Sequence, residues 1–308
     1  MAEPIRGTME DLCTIANTLG ISYGKDAPPQ EGFTWSNGVR LHWVDWGHAD
    51  KPPLIFLHGA ALSARTWDLV CLNLRTDYHC VALDQRGHGL SEGLFSFGVE
   101  EPKADLRGVV EALGLERPVF IGMSMGGNNI VAYAGSYADD MAGAVFIDIC
   151  PRVLPGSYEY AVARDAIIAR SRSLDEAAEI AHCLNPRGSK AYKRYTLSYA
   201  LERFPDGFWR FRYERDKALP KTAEENARYM MWRRQCLWSY VSLIQCPSLV
   251  VHGTESIPQS FESLNEFREK LPAGSLVQIA GAGHDVQEDQ PKSLARAVRV
   301  FLTHVGYQ

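Results

Sequence analysis

Short, continuous apolar runs alternate with helical patterns along most of this chain. Runs without polar alternation are typical of strands buried on both faces of a parallel sheet. They fall at Leu54–Leu57, Cys80–Leu83, Val119–Ile121, Ala144–Ile149, Leu249–Val251 and Leu276–Ile279. Between them, the apolar spacing predicts helices over Ser63–Leu74, Glu101–Leu113, Asn128–Tyr137, Phe261–Leu271 and Pro291–Val305. This order predicts an α/β fold with a mostly parallel central sheet and helices on both faces.

The start of the chain differs from this alternating region. Phe33–Trp35 and Arg40–Trp46 flank Asn37-Gly38, a dipeptide that predicts a two-residue hairpin before the first parallel strand. Residues 1–30 are predicted to be an N-terminal extension, with a helix near Met9–Leu19 and no readable function.

From Pro151 to about Ile244 the alternation stops, and the segment is helical, aromatic and rich in arginine. One interpretation is an insertion whose rings only pack on the body of the protein. The other is a lid over an active site, whose inner face forms the substrate pocket, and both can hold for the same helices. We therefore predict a core domain of residues 31–150 and 245–308 and a helical lid of residues 151–244.

Composition narrows the class of protein without naming a function. The chain has 308 residues, of which 46% are hydrophobic and 22% charged, and its net charge is −5. These values are typical of a soluble globular protein and argue against a nucleic-acid binder. We expect no secretory signal at the N-terminus and no membrane span. Seven scattered cysteines without C-x-x-C spacing favour reduced thiols in a cytoplasmic protein and no structural zinc.

The stretch Gly122-Met123-Ser124-Met125-Gly126 follows an apolar strand and precedes a predicted helix. A serine on so sharp a strand-to-helix turn has a strained backbone, and neighbours two residues away must lack side chains for the turn to close. Its hydroxyl then lies at a helix start, where backbone N–H groups and the helix dipole favour developing negative charge. The motif predicts a nucleophilic serine.

Five motifs, each after a predicted strand, together resemble the α/β-hydrolase fold family over roughly residues 33–306. They are His58-Gly59-Ala60-Ala61, the segment Asp84–Ser91, the Ser124 motif, Asp148, and His284 after Gly281-Ala282-Gly283. The order nucleophile, acid, histidine matches that fold and differs from unrelated serine proteases. The resemblance implies the α/β-hydrolase fold with a serine nucleophile.

The resemblance also implies roles for individual residues. The backbone N–H groups of Ala60 and Met125 are the expected oxyanion-hole donors, so their side chains are incidental. His284 is the expected general base, on a loop at the carboxyl edge of the sheet. We interpret His58 as structural, and the Asp84–Ser91 segment, including His88, as a loop that buttresses the site.

The triad acid departs from the commonest family pattern. Most members place an Asp shortly after the Gly that ends the seventh strand, but here His252-Gly253-Thr254-Glu255 contains none. Some members, haloalkane dehalogenases among them, place the acid after the sixth strand, where Asp148 lies. Those dehalogenases and the related epoxide hydrolases use an aspartate nucleophile, which Ser124 replaces here. The sequence therefore favours Asp148 as the acid and keeps Glu255 as the alternative.

The predicted function is hydrolysis of a carboxylic ester or lactone through an acyl-enzyme, without a cofactor or metal ion. Cleavage of a carbon–carbon or amide bond, or a lyase reaction, by the same triad is the alternative; a non-catalytic small-molecule receptor is the third. The expected pocket residues are Ala61, Val153, Leu154 and Val286. The aromatic insertion favours a neutral, partly aromatic or apolar substrate, whereas an unpaired arginine pointing inward would indicate an anion. The oligomeric state stays open, with a homo-oligomer among the options.

Overall fold

The structure is a computed structural model that describes residues 6–22, 28–94, 98–151, 157–212 and 222–307. Its centre is an eight-stranded sheet in the order β1-β2-β4-β3-β5-β6-β9-β10. The strands, including the small pair β7 and β8, are β1 Gln30–Ser36, β2 Val39–Asp45, β3 Pro53–Leu57, β4 His79–Leu83, β5 Val119–Met123, β6 Gly143–Ile147, β7 Leu201–Arg203, β8 Trp209–Phe211, β9 Ser248–Gly253 and β10 Gly274–Ile279.

The predicted sheet and its hairpin are confirmed. Strands β1 and β2 pair antiparallel, β2 pairs antiparallel with β4, and every other neighbour in the sheet is parallel. Asn37 and Gly38 join β1 to β2 with φ of 47° and 75°. Positive φ at both central residues is the backbone that a tight hairpin turn requires.

Helices cover both faces of the sheet. In chain order they are α1 Met9–Thr18, α2 Asp68–Leu74, α3 Glu100–Ala112, α4 Met125–Tyr137, α5 Ser157–Ile168, α6 Leu174–Leu184, α7 Lys190–Ala200, α8 Ala223–Tyr240, α9 Phe261–Lys270, α10 Val286–Asp289 and α11 Pro291–His304. One core cluster lies under α1, α2 and α11, and the other lies under α3, α4 and α9. The continuous apolar strands are buried between these two layers, as the sequence predicted.

The predicted bounds change where the backbone conformation is unusual. We predicted a strand over Ala144–Ile149, but β6 ends at Ile147 because Asp148 has a φ of 49°. A left-handed residue of this kind turns the chain out of the sheet. The helix predicted from Asn128 begins already at Met125, so it follows Ser124 directly.

Between β6 and β9 the chain forms helices α5 to α8 and one small antiparallel sheet of β7 and β8. We call the described residues of this segment, 157–212 and 222–244, the insertion. Our expectation of a wholly helical segment was wrong in this respect. Each strand of the hairpin has three residues, which is too short to produce a recognisable alternation in the sequence. Helix α8 packs against α4, so the insertion contacts the helix that follows Ser124.

The N-terminal extension is attached to the insertion. Helix α1 buries Leu12, Ile15 and Ala16 in the core. The backbone N–H of Gly7 donates to Ser198 Oγ at 2.8 Å, and the Tyr199 hydroxyl donates to the Gly7 carbonyl at 2.5 Å. The first described residues therefore anchor helix α7 to the body of the protein.

No helix among the described residues combines the length and apolar character needed to cross a lipid bilayer. All seven cysteines lie in the described ranges as free thiols.

Candidate active site

Ser124 lies at the turn between β5 and α4 with φ of 52° and ψ of −111°. Two close approaches explain the glycines around it. A Cβ on Gly122 would lie 2.6 Å from the backbone of Gly126 and Gly127, and a Cβ on Gly126 would lie 2.2 Å from the Leu57 carbonyl oxygen. Both distances are far below van der Waals contact, so only glycine fits at these positions.

Hydrogen bonds on both sides hold this strained turn. The Ser124 N–H donates to the Ile147 carbonyl at 3.2 Å, and the Asn128 N–H donates to the Ser124 carbonyl at 3.1 Å. A non-glycine residue at this φ and ψ costs on the order of 1–3 kcal/mol, which the surrounding structure must offset. Strain of this kind is concentrated at functional sites.

The structure brings His284 and Asp148 together. His284 Nδ1 lies 2.6 Å from Asp148 Oδ2, and the Asp148 side chain is 0% exposed. The left-handed backbone of Asp148 is held by its N–H, which donates to the Val251 carbonyl at 2.8 Å. A buried carboxylate at this distance accepts the Nδ1 proton and leaves Nε2 of the imidazole as the free base.

Two groups from the end of β9 and the loop after it complete the environment of this carboxylate. Ser256 Oγ donates to Asp148 Oδ2 at 2.5 Å, and the Gly253 N–H donates to Asp148 Oδ1 at 3.3 Å. Each carboxylate oxygen therefore has a protein donor, which offsets the cost of burying the charge. Sequence reasoning missed Ser256, because a serine in a loop carries no pattern that shows where its hydroxyl points.

Glu255 has a different partner. Its Oε2 lies 2.6 Å from both Nε and Nη2 of Arg187, a residue of the insertion, and its side chain is 50% exposed. The alternative acid is thus paired with a guanidinium, whereas the carboxylate of Asp148 contacts the imidazole.

The loop after β3 is held close to Ser124. A Cβ on Gly59 would lie 2.5 Å from Met123 Sδ, so a larger residue here would displace the end of the Met123 side chain. Buried His58 accepts a hydrogen bond at Nε2 from the Gln85 N–H at 3.0 Å, and its Nδ1 lies 2.7 Å from the Gly59 carbonyl. Burial lowers the pKa of His58, which keeps the ring neutral and suits it to bridging two loops.

Asp84 links the following loop to the same region. Its carboxylate accepts from the backbone N–H of Ala64 at 2.6 Å and of Leu90 at 2.9 Å, and its Oδ2 lies 2.8 Å from His42 Nδ1. Burial opposes the charged form, but the bond to His42 lowers the pKa of Asp84 overall. These contacts fit the buttressing interpretation of the Asp84–Ser91 segment.

The model of the alpha/beta hydrolase family matches residues 54–297. The chain belongs to the alpha/beta hydrolase family.

Similar proteins span most of this chain. Epoxide hydrolase 1 of Caenorhabditis elegans is 25% identical over 285 residues, covering 86% of this chain and 68% of the relative. Esterase YbfF of Escherichia coli strain K12 is 26% identical over 263 residues, covering 82% of this chain and 94% of the relative. The crystal structure of E-2-(acetamidomethylene)succinate hydrolase has a TM-score of 0.72 at 22% identity, covering 89% of this chain and 99% of that one. Relatives named esterases and hydrolases support hydrolase activity for this chain.

A cavity of about 230 Å³ opens beside Ser124 in this alpha/beta hydrolase. Its floor comes from the strand ends and their loops, and its other walls come from the insertion and the loop after β9. The floor includes both expected oxyanion-hole residues, and the residues at this end are Ala60, Ala61, Ser124, Met125 and His284. The space is smaller than the ~300–1,000 Å³ typical of sites for drug-sized ligands, which favours a small substrate.

The four expected pocket residues differ in their position relative to the cavity. Ala61 lines the cavity. Val286 does not; it is fully buried in the core under α11, because the short helix α10 turns its side chain toward the sheet. Val153 and Leu154 lie outside the described residues.

Ionisable side chains from three segments also face the cavity. They are Arg164, Arg187, Lys193, Arg233, Glu255, Asp285 and Glu288. Burial raises the pKa of Glu288 to about 7, and its Oε1 accepts a hydrogen bond from Thr66 Oγ1 at 2.8 Å. Within the described ranges, no group of three or more His, Cys, Asp or Glu side chains is arranged to hold a metal ion.

Proposed function

We propose that this protein is a serine hydrolase that cleaves a carboxylic ester or lactone through an acyl-enzyme. The observation that carries the proposal is the 2.6 Å contact between His284 Nδ1 and the buried carboxylate of Asp148, in the same cavity as Ser124. A strained serine, an imidazole and a buried carboxylate are the three groups that this chemistry needs.

The proposed reaction has two halves. His284 Nε2 takes the Ser124 hydroxyl proton as Ser124 Oγ attacks the carbonyl carbon, and the imidazolium then gives this proton to the departing alkoxide. Water, deprotonated by the same nitrogen, attacks the acyl-enzyme. The imidazolium then returns this proton to the departing Ser124 Oγ, which releases the acid and regenerates the free enzyme. Asp148 holds the ring with Nδ1 protonated and stabilises its cationic form.

The oxyanion of each tetrahedral intermediate is assigned to the backbone N–H groups of Ala60 and Met125. Ala60 follows the glycine that packs on Met123, and Met125 is the first residue of α4. Unpaired N–H groups at a helix start, together with the helix dipole, favour negative charge at this point. Removal of one such donor in a serine hydrolase costs about 10²–10³ in kcat.

The nucleophile argues for an ester or lactone over the epoxide named for one relative. Family members that open epoxides use an aspartate as the nucleophile, at the position that Ser124 occupies in this chain. A serine gives an acyl-enzyme with a carbonyl substrate, which is the intermediate of esterase chemistry.

A fluorophosphonate probe provides the test. Wild-type protein should be labelled stoichiometrically at Ser124, as located by peptide mass spectrometry, and should hydrolyse members of a panel of small esters and lactones. Ser124→Ala should lose both labelling and hydrolysis while keeping the far-UV circular dichroism spectrum. Wild-type protein that is neither labelled nor active on any acyl substrate would favour the receptor alternative.

A further inference from the structure

Arg233, on helix α8 of the insertion, faces the same cavity as Ser124. Its residue exposure is 5%, and its Nε is fully buried without a hydrogen-bond partner. No carboxylate of the described residues forms an ion pair with this guanidinium. A charged side chain is therefore buried at the substrate cavity with its Nε–H unsatisfied and without a carboxylate partner.

The other cations that face the cavity are neutralised by the protein. Arg187 pairs with Glu255 at 2.6 Å, Arg164 pairs with Asp165 at 3.0 Å, and Lys193 Nζ lies 3.9 Å from Asp289 Oδ1. Each has a carboxylate within reach. In the part of the chain that the structure describes, Arg233 is the cation that lines the cavity and has no carboxylate partner.

This arrangement is costly in the free protein. Burial lowers the pKa of Arg233 to about 10, so the group still carries its positive charge at neutral pH. A buried, unpaired charge is destabilising, and the cost is recovered when an anion binds. Since the planar guanidinium presents paired N–H donors, a carboxylate is the anion that matches it in a bidentate manner.

We propose that the substrate is a small ester or lactone that also bears one carboxylate, and that Arg233 binds this carboxylate. The inference rests on the proposed hydrolase function and assigns its substrate class. It replaces the neutral substrate expected from the aromatic composition, because the condition for an anion, an inward-facing unpaired arginine, is met.

A single unpaired guanidinium matches an anion with a single negative charge. The other cations that line the cavity already have protein carboxylates, so a dianion such as a phosphate monoester would keep one of its charges unbalanced beside Glu288. The cavity volume of about 230 Å³ limits the size of the substrate and favours a short acyl or alcohol chain that ends in the carboxylate.

The kinetic test compares monoethyl glutarate with the neutral ethyl ester in which an isopropyl group replaces the carboxylate. The two have the same number of non-hydrogen atoms and a similar size, and they differ in charge. Wild-type protein should give the higher kcat/KM with monoethyl glutarate. In Arg233→Met this ratio of kcat/KM values should fall on the order of 10–100-fold, mostly through KM, because a charge-assisted hydrogen-bonded pair is lost.

Arg234→Met is the matched control. Arg234 is the next residue of α8 and does not line the cavity, so the same change in net charge should leave the ratio as in wild type. Both variants should keep the wild-type circular dichroism spectrum, and Arg234→Met should also keep the wild-type rate of fluorophosphonate labelling. An equal fall of the ratio in both variants, or a wild-type preference for the neutral ester, would overturn the proposal.

Binding separates failure of this inference from failure of the hydrolase function. Calorimetric titration of Ser124→Ala with monoethyl glutarate should show binding that the neutral ester lacks and that the additional change Arg233→Met removes. Binding of this kind without any turnover by wild-type protein would retain the anion site and contradict the hydrolase. Turnover of esters with no effect of Arg233 on binding or kinetics would contradict the anion site alone.

Discussion

His284 Nδ1 and Asp148 Oδ2 are 2.6 Å apart although the two residues are 136 positions apart in the chain. The contact forms because β6 and β9 are neighbours in the sheet and the loop after β10 folds back over their ends.

Asp148→Asn should lower kcat by on the order of 10²–10⁴, because an amide at this position leaves the imidazole in the wrong tautomer. Glu255→Gln should stay within about tenfold, or ~1.4 kcal/mol of barrier, since Glu255 pairs with Arg187. Steady-state kinetics on a common ester would measure both, with melting temperatures as the control for folding. The reverse order of the two variants would move the assignment to Glu255.

Ser256→Ala should lower kcat by roughly 3–30-fold with a small change in KM, because Asp148 loses a donor at 2.5 Å that is worth about 1–2 kcal/mol. Thr254→Ala is the control in the same loop, as its hydroxyl accepts from Gly281 and does not contact Asp148. Identical kinetics of Ser256→Ala and wild type would show that this hydroxyl has no role in positioning the carboxylate.

Ser124→Gly should be at least as stable as Ser124→Ala toward urea. Glycine in place of alanine ordinarily destabilises, but at φ of 52° and ψ of −111° it removes a strain of about 1–3 kcal/mol. The matched pair Val300→Gly and Val300→Ala, at an exposed position of α11, should show the ordinary order with glycine about 1 kcal/mol less stable. If glycine is the less stable residue by the same amount at both positions, the backbone at Ser124 is unstrained.

Glu288→Gln should change how stability depends on pH. Burial raises the pKa of Glu288 to about 7 in the folded protein from an ordinary 4.5, while Lys193 opposes the shift and Asp285 adds to it. The folded state thus binds more protons than the unfolded state between these values, and the free energy of unfolding that Glu288 contributes falls as pH rises through this window. Glutamine does not titrate, so the variant does not lose this free energy of unfolding as the pH rises. Its side-chain oxygen can still accept the hydrogen bond from Thr66.

The stability of Glu288→Gln relative to wild type should therefore be greater at pH 8 than at pH 4.5, as measured by urea denaturation across that range. Glu10→Gln, at an exposed position of α1, provides the control, and its difference from wild type should depend little on pH. A pH-independent difference for Glu288→Gln would show that this carboxyl titrates normally.

The sequence predicted the parallel sheet and the turn at Ser124 because each depends on local features. Buried parallel strands are continuous apolar runs, and the turn needs glycine at positions 122 and 126, where a Cβ would strike backbone. Asp148 was favoured because the segment after the seventh strand contains no Asp and the resemblance includes members whose acid follows the sixth strand.

The remaining features depend on packing that no local pattern records. The β7–β8 hairpin is too short to alternate, and Val286 was expected in the pocket although helix α10 directs it into the core. Arg233 and Arg234 are adjacent in the sequence and are the same residue type, yet only Arg233 lines the cavity. The orientation of α8 about its own axis determines which of the two side chains faces the cavity. This orientation is set by the contacts of α8 with the body of the protein.

In the proposed triad the carboxylate comes from Asp148, directly after β6, so the loop after β9 does not have to supply it. That loop instead contributes Glu255, Ile257 and Pro258 to the cavity wall. Substitutions there can reshape what the protein accepts without disturbing the imidazole–carboxylate pair, provided that Ser256 is kept. In the proposed function, selectivity and proton transfer are thus carried by separate segments, and the loop after β9 is the place to begin when redirecting this protein to new molecules.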